Sequence, residues 1–230
     1  VFLKRRIHDI YRPENKPIDD CCLPGFKIRN LKTSFQQIPP LFTFAAMQPP
    51  TGKTLVTRER FALTIERLCH QLLEDWGDFS NACIIGIQPK GTLLANRIYV
   101  RLQELTESHR IEYGKLDITF YRDDFRMHAG GPLSAHPNEI NFLVAGKKVL
   151  LVDDVLYTGR TIQAALAALQ HYGRPDAVEL LVLVDRRFNR QLPIQPDYVG
   201  ISVDALDEAY VRVRWEEIHG EDEILLFDKK

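Results

Sequence analysis

The segment Lys147–Leu166, KKVLLVDDVLYTGRTIQAAL, restricts the fold of this chain more than any other stretch. Four apolar residues, Val149 to Val152, read as a buried strand and run straight into Asp153 and Asp154. Two adjacent carboxylates at the end of a buried strand repel each other and lose hydration, so they require donors or a cation. Vicinal sugar hydroxyls supply such donors, and a magnesium ion supplies positive charge. Thr158-Gly159-Arg160-Thr161 follows and opens a helix expected over 161–172, with Ile162, Ala165, Leu166 and Leu169 inward. Gly159 can adopt positive φ, the two threonines offer hydroxyls, and the first helical amides point outward. A helix N-terminus of this kind favours an anion such as a phosphate. Taken alone, the acid pair reads as a turn and a helix cap. The continuation into Thr-Gly-x-Thr tips the reading toward a phosphorylated sugar.

The rest of the patterned chain alternates strand and helix. The spacing of Phe61, Ile65, Leu68 and Leu72 predicts a helix over 58–75. Ala82–Ile87 predicts a buried strand, broken by Gln88-Pro89-Lys90-Gly91. Leu94, Ile98, Leu102 and Leu105 predict a helix over 92–107, and Leu116, Ile118 and Phe120 a strand by alternation. Residues 122–146 are polar and rich in Gly and Pro, as expected of a functional lid. Further strands are expected at 177–184, 198–202, 210–215 and 224–227. The pattern implies an α/β layer with a largely parallel sheet and a ligand beyond the carboxyl ends of its strands. That places attention on Gln88, Tyr121, Asp153 and Asp185 onward. Gly52-Lys53-Thr54 resembles the end of a P-loop, but Met47 stands where its first Gly is needed, and it is set aside.

With 230 residues, 30 basic and 31 acidic side chains, no global field draws the chain to nucleic acid or anionic lipid. Residues 1–46 carry a net +4 and the remainder a net −5. Residues 1–46 lack a clear period, and the first Met is Met47. Two readings stand: an extension upstream of a start at Met47, or a loosely ordered arm preceding a domain over 47–230. Cys21, Cys22, Cys69 and Cys83 show no C-x-x-C spacing, and no run approaches a membrane span. A reduced, cytoplasmic, soluble protein with no membrane partner is expected.

LLVDDVLYTGRT resembles the 5-phosphoribosyl-1-pyrophosphate (PRPP) motif of type I phosphoribosyltransferases. With LDITFYRDD (Leu116 to Asp124), LVDR (Leu183 to Arg186) and LPIQPDYVG (Leu192 to Gly200), it resembles the bifunctional pyrimidine operon regulator/uracil phosphoribosyltransferase family over roughly residues 57–200. The resemblance implies the type I fold: a largely parallel sheet flanked by helices, a small base-binding hood and a flexible lid. It implies transfer of phosphoribose from PRPP to uracil with Mg²⁺, a homodimer or larger homo-oligomer, and RNA as a further partner. Two alternatives stay open: a purine phosphoribosyltransferase, and a nucleotide-sensing RNA-binding regulator with weak catalysis.

By the same resemblance, Asp153 and Asp154 engage the ribose hydroxyls and touch the metal through ligand or water. Val155, Leu156, Tyr157, Thr158, Gly159, Arg160 and Thr161 form the 5′-phosphate loop. Pro89, Lys90 and Gly91 occupy the pyrophosphate-loop position, with a cis peptide expected at Pro89–Lys90. Lys90 stands where the family has Arg, keeping the charge and losing the planar fork. Arg122 begins the lid and faces the leaving pyrophosphate. Asp153, Asp154, Lys90 and Arg122 are the catalytic set; Asp185, Arg186 and Val199 are the base-binding set. The family's VDRGHRELPI is here Val184-Asp185-Arg186-Arg187-Phe188-Asn189-Arg190-Gln191-Leu192-Pro193-Ile194, one residue longer and without the His. The stretch after Gly200 lacks the family's Lys and Pro-Thr-Ser. For RNA, Arg58, Arg60, Arg67, His70, Arg186, Arg187 and Arg190 offer positive charge, opposed by the acidic body.

Overall fold

Apolar runs with few polar interruptions become strands covered on both faces. Three of them, β2 (Ala82–Ile87), β4 (Lys148–Leu156) and β5 (Ala177–Arg186), form the centre of a five-stranded parallel sheet. β3 (Glu112–Leu116) and β6 (Tyr198–Val203) flank them in the order β3-β2-β4-β5-β6. The computed structural model describes residues 52–106, 111–122, 137–205 and 209–227. The expectations for residues 1–46 lie outside them.

Helices α1 (Arg58–Trp76) and α2 (Gly91–Thr106) cover one face of the sheet, burying Phe61, Leu68, Leu72, Leu94, Ile98 and Leu102. Helix α3 (Arg160–Leu169) covers the other with Ile162, Ala164, Ala165, Ala168 and Leu169. The chain runs from β2 to β3 in one direction and from β4 to β5 and β6 in the other. The reversal therefore lies between the carboxyl ends of β2 and β4, where ligands of open α/β sheets bind. There the two neighbours of β4 end unequally. β2 pairs with it only to Val152, while β5 continues to Leu156. Asp153 to Leu156 thus form a ledge paired along one edge.

A second, antiparallel sheet joins β1 (Lys53–Val56), β8 (Glu223–Phe227) and β7 (Tyr210–Arg214) in the order β1-β8-β7. It is fastened to the helices by Trp215, fully buried and edge-on to Phe61 at 5.3 Å. Arg97 of α2 lies over both rings and forms ion pairs with Asp222 and Glu217 around the short helix α4 (Glu216–His219).

Several sequence expectations shift. The strand expected through Phe120 lies earlier, at Glu112–Leu116. Asp117 ends it: its carboxylate accepts the Thr119 N–H at 2.6 Å, and its own N–H donates to Asn138 Oδ1 at 2.6 Å. That Asx-type turn converts Thr119–Tyr121 into a 3₁₀ turn and leaves Phe120 70% exposed. β4 runs four residues past Val152, because β5 still supports it. Leu166 faces outward, and α3 stops at Leu169, continuing as a 3₁₀ turn over Gln170–Tyr172. β1 was not anticipated; Lys53 and Thr54 are strand residues, as setting the P-loop aside requires. Cys69 and Cys83 are buried core residues whose thiols burial pushes up to about 12. In the stretch read as a lid, residues 137–146 are anchored. Glu139 pairs with Lys115 through backbone and side chain, and buried Val144 donates to the Tyr172 carbonyl. Residues 123–136 of that stretch lie outside the described residues.

Candidate active site

Three segments meet at the reversal of the sheet. β4 brings Asp153 and Asp154, the turn after β2 brings Lys90 and Gly91, and the turn after β3 brings Arg122. Their proximity follows from Gly91, where a side chain has no room. A Cβ there would stand 2.5 Å from the Val152 carbonyl oxygen and 3.2 Å from Asp153 Oδ1. The turn after β2 thereby lies directly against the ledge. Gln88 N–H donates to the Leu116 carbonyl, tying this turn to the end of β3 as well. Its cis peptide is Gln88–Pro89, one bond earlier than expected. An X–Pro bond is the one for which cis is accessible.

Asp153 is buried and Asp154 half-buried. The Asp154 N–H donates to Asp153 Oδ1 at 2.9 Å. Burial raises Asp153 well above the usual carboxylate range, and the charge of Asp154 adds to the rise. The backbone donor and the positive charges of Arg122 and Lys90 offset only part of it. Asp154 is also raised by burial, against the opposing charge of Lys90. The pair is thus short of positive charge and donors, while two cations stand near it, both on exposed residues.

Beyond the pair, Val155 and Leu156 pack into the two cores on either side of the sheet, so they offer a ligand backbone rather than side chains. Tyr157 and Thr158 form the turn, Gly159 takes φ 92°, and Arg160 opens α3, with Thr161 half-buried. Gly159 sits beneath Leu192 and Ile194, 3.3 to 3.4 Å from where its Cβ would be. The segment after β5 straps this loop. Arg190 donates to the Tyr157 carbonyl at 2.5 Å and to Asp185 Oδ1 at 2.5 Å. The backbone N–H groups of Gln191 and Leu192 both donate to the Thr158 carbonyl, and Arg160 Nε donates to Gln191 Oε1 at 2.7 Å.

The base-side residues divide. Asp185 and Val199 line one cavity of about 480 Å³ with Phe188, Pro193 and Ile194. Arg186 does not line that cavity, because neighbouring strand residues face opposite ways. It is buried with its guanidinium 4.1 Å over the Tyr157 ring. The strap is the feature that reading the sequence missed. Its only local signal is the altered stretch Arg187–Gln191, and its contacts lie some thirty positions away in the chain. Among the described residues no group of three His, Cys, Asp or Glu side chains forms a metal cage.

Residues 52–218 match the phosphoribosyl transferase domain family. The chain is 40% identical over 177 residues to the bifunctional protein PyrR of Elusimicrobium minutum, covering 77% of this chain and 97% of that one. It is 41% identical over 175 residues to the bifunctional protein PyrR of Deinococcus radiodurans, covering 76% and 94%. Among solved structures, a hypoxanthine phosphoribosyltransferase of Staphylococcus aureus superposes with a TM-score of 0.55 at 21% identity, covering 76% of this chain and 92% of that one. One from Trypanosoma cruzi reaches 0.57 at 17%, covering 78% and 93%. These two likenesses bear on the fold. The match over most of the chain and the PyrR relatives together place this protein in the phosphoribosyl transferase family, among the bifunctional PyrR proteins.

Proposed function

We propose that the protein transfers phosphoribose from PRPP to uracil, giving UMP and pyrophosphate. The observation that carries the reading is the charge-starved pair Asp153–Asp154, one short turn before the amides that open α3. Ribose hydroxyls donate to the carboxylates, and the 5′-phosphate accepts from the loop Val155–Thr161. Lys90 and Arg122 face the pyrophosphate as it leaves C1. The ledge and the Pro89–Gly91 turn hold the sugar between them, so the base nitrogen attacks a carbon already in place. Catalysis is positioning and electrostatic stabilisation, with no protein nucleophile.

An all-oxygen donor set of two carboxylates suits Mg²⁺, which takes one or two protein carboxylates and fills its sphere with phosphate and water. When bound, Mg²⁺ would neutralise charge developing on pyrophosphate. Asp153 and Asp154 are the residues that would hold it, directly or through ligand oxygens and water.

Turnover assays with PRPP, Mg²⁺ and each of uracil, hypoxanthine, guanine, xanthine and adenine test the proposal. UMP formation with uracil alone is expected. Preference for a purine would overturn the base assignment, and no turnover with any base would favour a regulator.

The relatives' name, bifunctional, and the resemblance to the pyrimidine operon regulator family together motivate a second activity: RNA-based control of pyrimidine genes. Phosphate binding needs cations that are not already engaged. Of the residues considered for that role, Arg58 pairs with Glu216, Arg187 with Asp204, Arg190 with Asp185 and His70 with Glu66. Arg67 donates to the carbonyls of Val199 and Gly200. RNA contact by these five residues would therefore compete with internal bonds, while Arg60 is exposed and Arg186 is buried over Tyr157. Salt titrations on the leader of its own pyrimidine genes decide the matter: affinity equal to that for random RNA rejects the role.

A further inference from the structure

We propose that Arg190 is a positioning residue that sets the direction of the phosphate-loop amides, making the base-side strap and the 5′-phosphate site one mechanical unit. The inference rests on the PRPP reading and extends it to a residue that need not touch the ligand.

A trans peptide is planar, so a carbonyl and the N–H of the next residue point opposite ways. Arg190 draws the Tyr157 carbonyl toward the strap, which turns the Thr158 N–H away from it. The Gln191 and Leu192 amides draw the Thr158 carbonyl the same way, which turns out the Gly159 N–H. Both amides are thereby aimed on the side opposite the strap, at the opening of α3. The loop needs this restraint because Gly159, at φ 92°, has no Cβ to resist a peptide flip.

Arg190 is itself fixed. Its second nitrogen is held by Asp185 at the end of β5, a rigid buried strand. One planar guanidinium therefore ties a strand end to a loop carbonyl with two charge-assisted bonds. Lysine, a point charge on a flexible stem, holds one such partner firmly and not both. Asp185 and Arg190 both line the cavity beside Val199, so the ion pair itself joins the base side to the phosphate side.

The experiment titrates two ligands into the full chain by calorimetry, with PRPP as a further check on the wild type. Ribose 5-phosphate engages the acid pair and the phosphate loop. Magnesium pyrophosphate engages the Lys90 side and serves as the internal control. Arg190→Ala is expected to weaken ribose 5-phosphate about tenfold, the loss of one charge-assisted hydrogen bond, and to leave pyrophosphate affinity unchanged. Arg190→Lys is expected to fall between the two, and it carries the same comparison if the alanine variant does not fold. Unchanged ribose 5-phosphate affinity in the variants overturns the proposal, as does an equal loss for both ligands, which marks Arg190 as a general structural staple. If the wild type binds neither ribose 5-phosphate nor PRPP, the PRPP reading itself fails, and this inference with it.

Discussion

The two ends of the parallel sheet treat a carboxylate withdrawn from solvent in opposite ways. At the amino end of β4 and β5, Glu179 accepts hydrogen bonds from Trp76 Nε1 at 2.7 Å and the Tyr198 hydroxyl at 3.0 Å, and pairs with Lys148 at 2.7 Å. Lys148 also lies 4.1 Å from the Trp76 ring centroid. Burial alone would raise the Glu179 carboxyl, yet the bonds from Lys148, Trp76 and Tyr198 outweigh it and hold it below the usual range. At the carboxyl end, Asp153 has one backbone donor from Asp154 and two cations near it, and burial wins. Nearly the same chemical group stabilises the fold at one end and strains it at the other. The strained end is where a ligand can supply what is missing.

Four experiments can break or sharpen that contrast. The largest effect is expected from Asp154→Asn, which should lower kcat/KM for PRPP by about a hundredfold through misplacement of the sugar. Its melting temperature should fall little or not at all; a variant that unfolds while the remaining folded fraction keeps full activity would reverse the assignment. Gly91→Ala comes next. Its methyl must push against the Val152 carbonyl, costing about 1–3 kcal/mol in stability and lowering PRPP affinity as the turn lifts off the ledge. A fully stable and active Gly91→Ala would show that the close approach is not needed.

At the opposite end, Glu179→Ala should cost about 1 kcal/mol by removing the acceptor shared by Trp76 and Tyr198 and the partner of Lys148, since Trp76 still donates to Tyr198 and Tyr198 to Asp75, with PRPP affinity unchanged. Loss of affinity there would mean that the two ends are coupled. The smallest effect is in the pH dependence of the ligand-free protein. Asp153, raised on folding, contributes stability that is present below the ordinary carboxylate pKa and lost as pH rises through its folded value. Glu179, lowered on folding, contributes stability that is present above the ordinary pKa and lost as pH falls through its folded value. Thermal melts across pH should therefore show Asp153→Asn more stable than wild type at neutral pH, with the difference vanishing in acid. A neutral-pH melting temperature at or below that of wild type would contradict the raised Asp153.

What the sequence made legible was local. The strand-to-acid-to-loop run exposed Asp153, Asp154 and Gly159, because strand, turn and helix start occupy consecutive residues. The helix faces of α1 and α2 followed from periodicity, with Phe61, Leu68, Ile98 and Leu102 buried as spaced. What stayed hidden was non-local or counter to pattern. Leu116, Ile118 and Phe120 alternate like a strand, yet the hydrogen bond that the Asp117 N–H donates to Asn138, more than twenty positions on, helps to end it at Leu116. Arg190 looks like one charge in a basic run until the fold sets it against Tyr157 and Asp185. Arg97, likewise, sits on an ordinary helix face until Trp215 and Asp222 arrive from the far end of the chain.

The unequal neighbours of β4 carry a consequence for aggregation. An unpaired strand edge is a template on which another chain can grow a sheet. Here the bare edge begins only after Val152, in the middle of the sheet, and the Gly91 turn lies against its start. It is too short and too hemmed in to admit a foreign strand. A strand that stops pairing with one neighbour inside the sheet, not at its rim, is thereby kept away from other polypeptides.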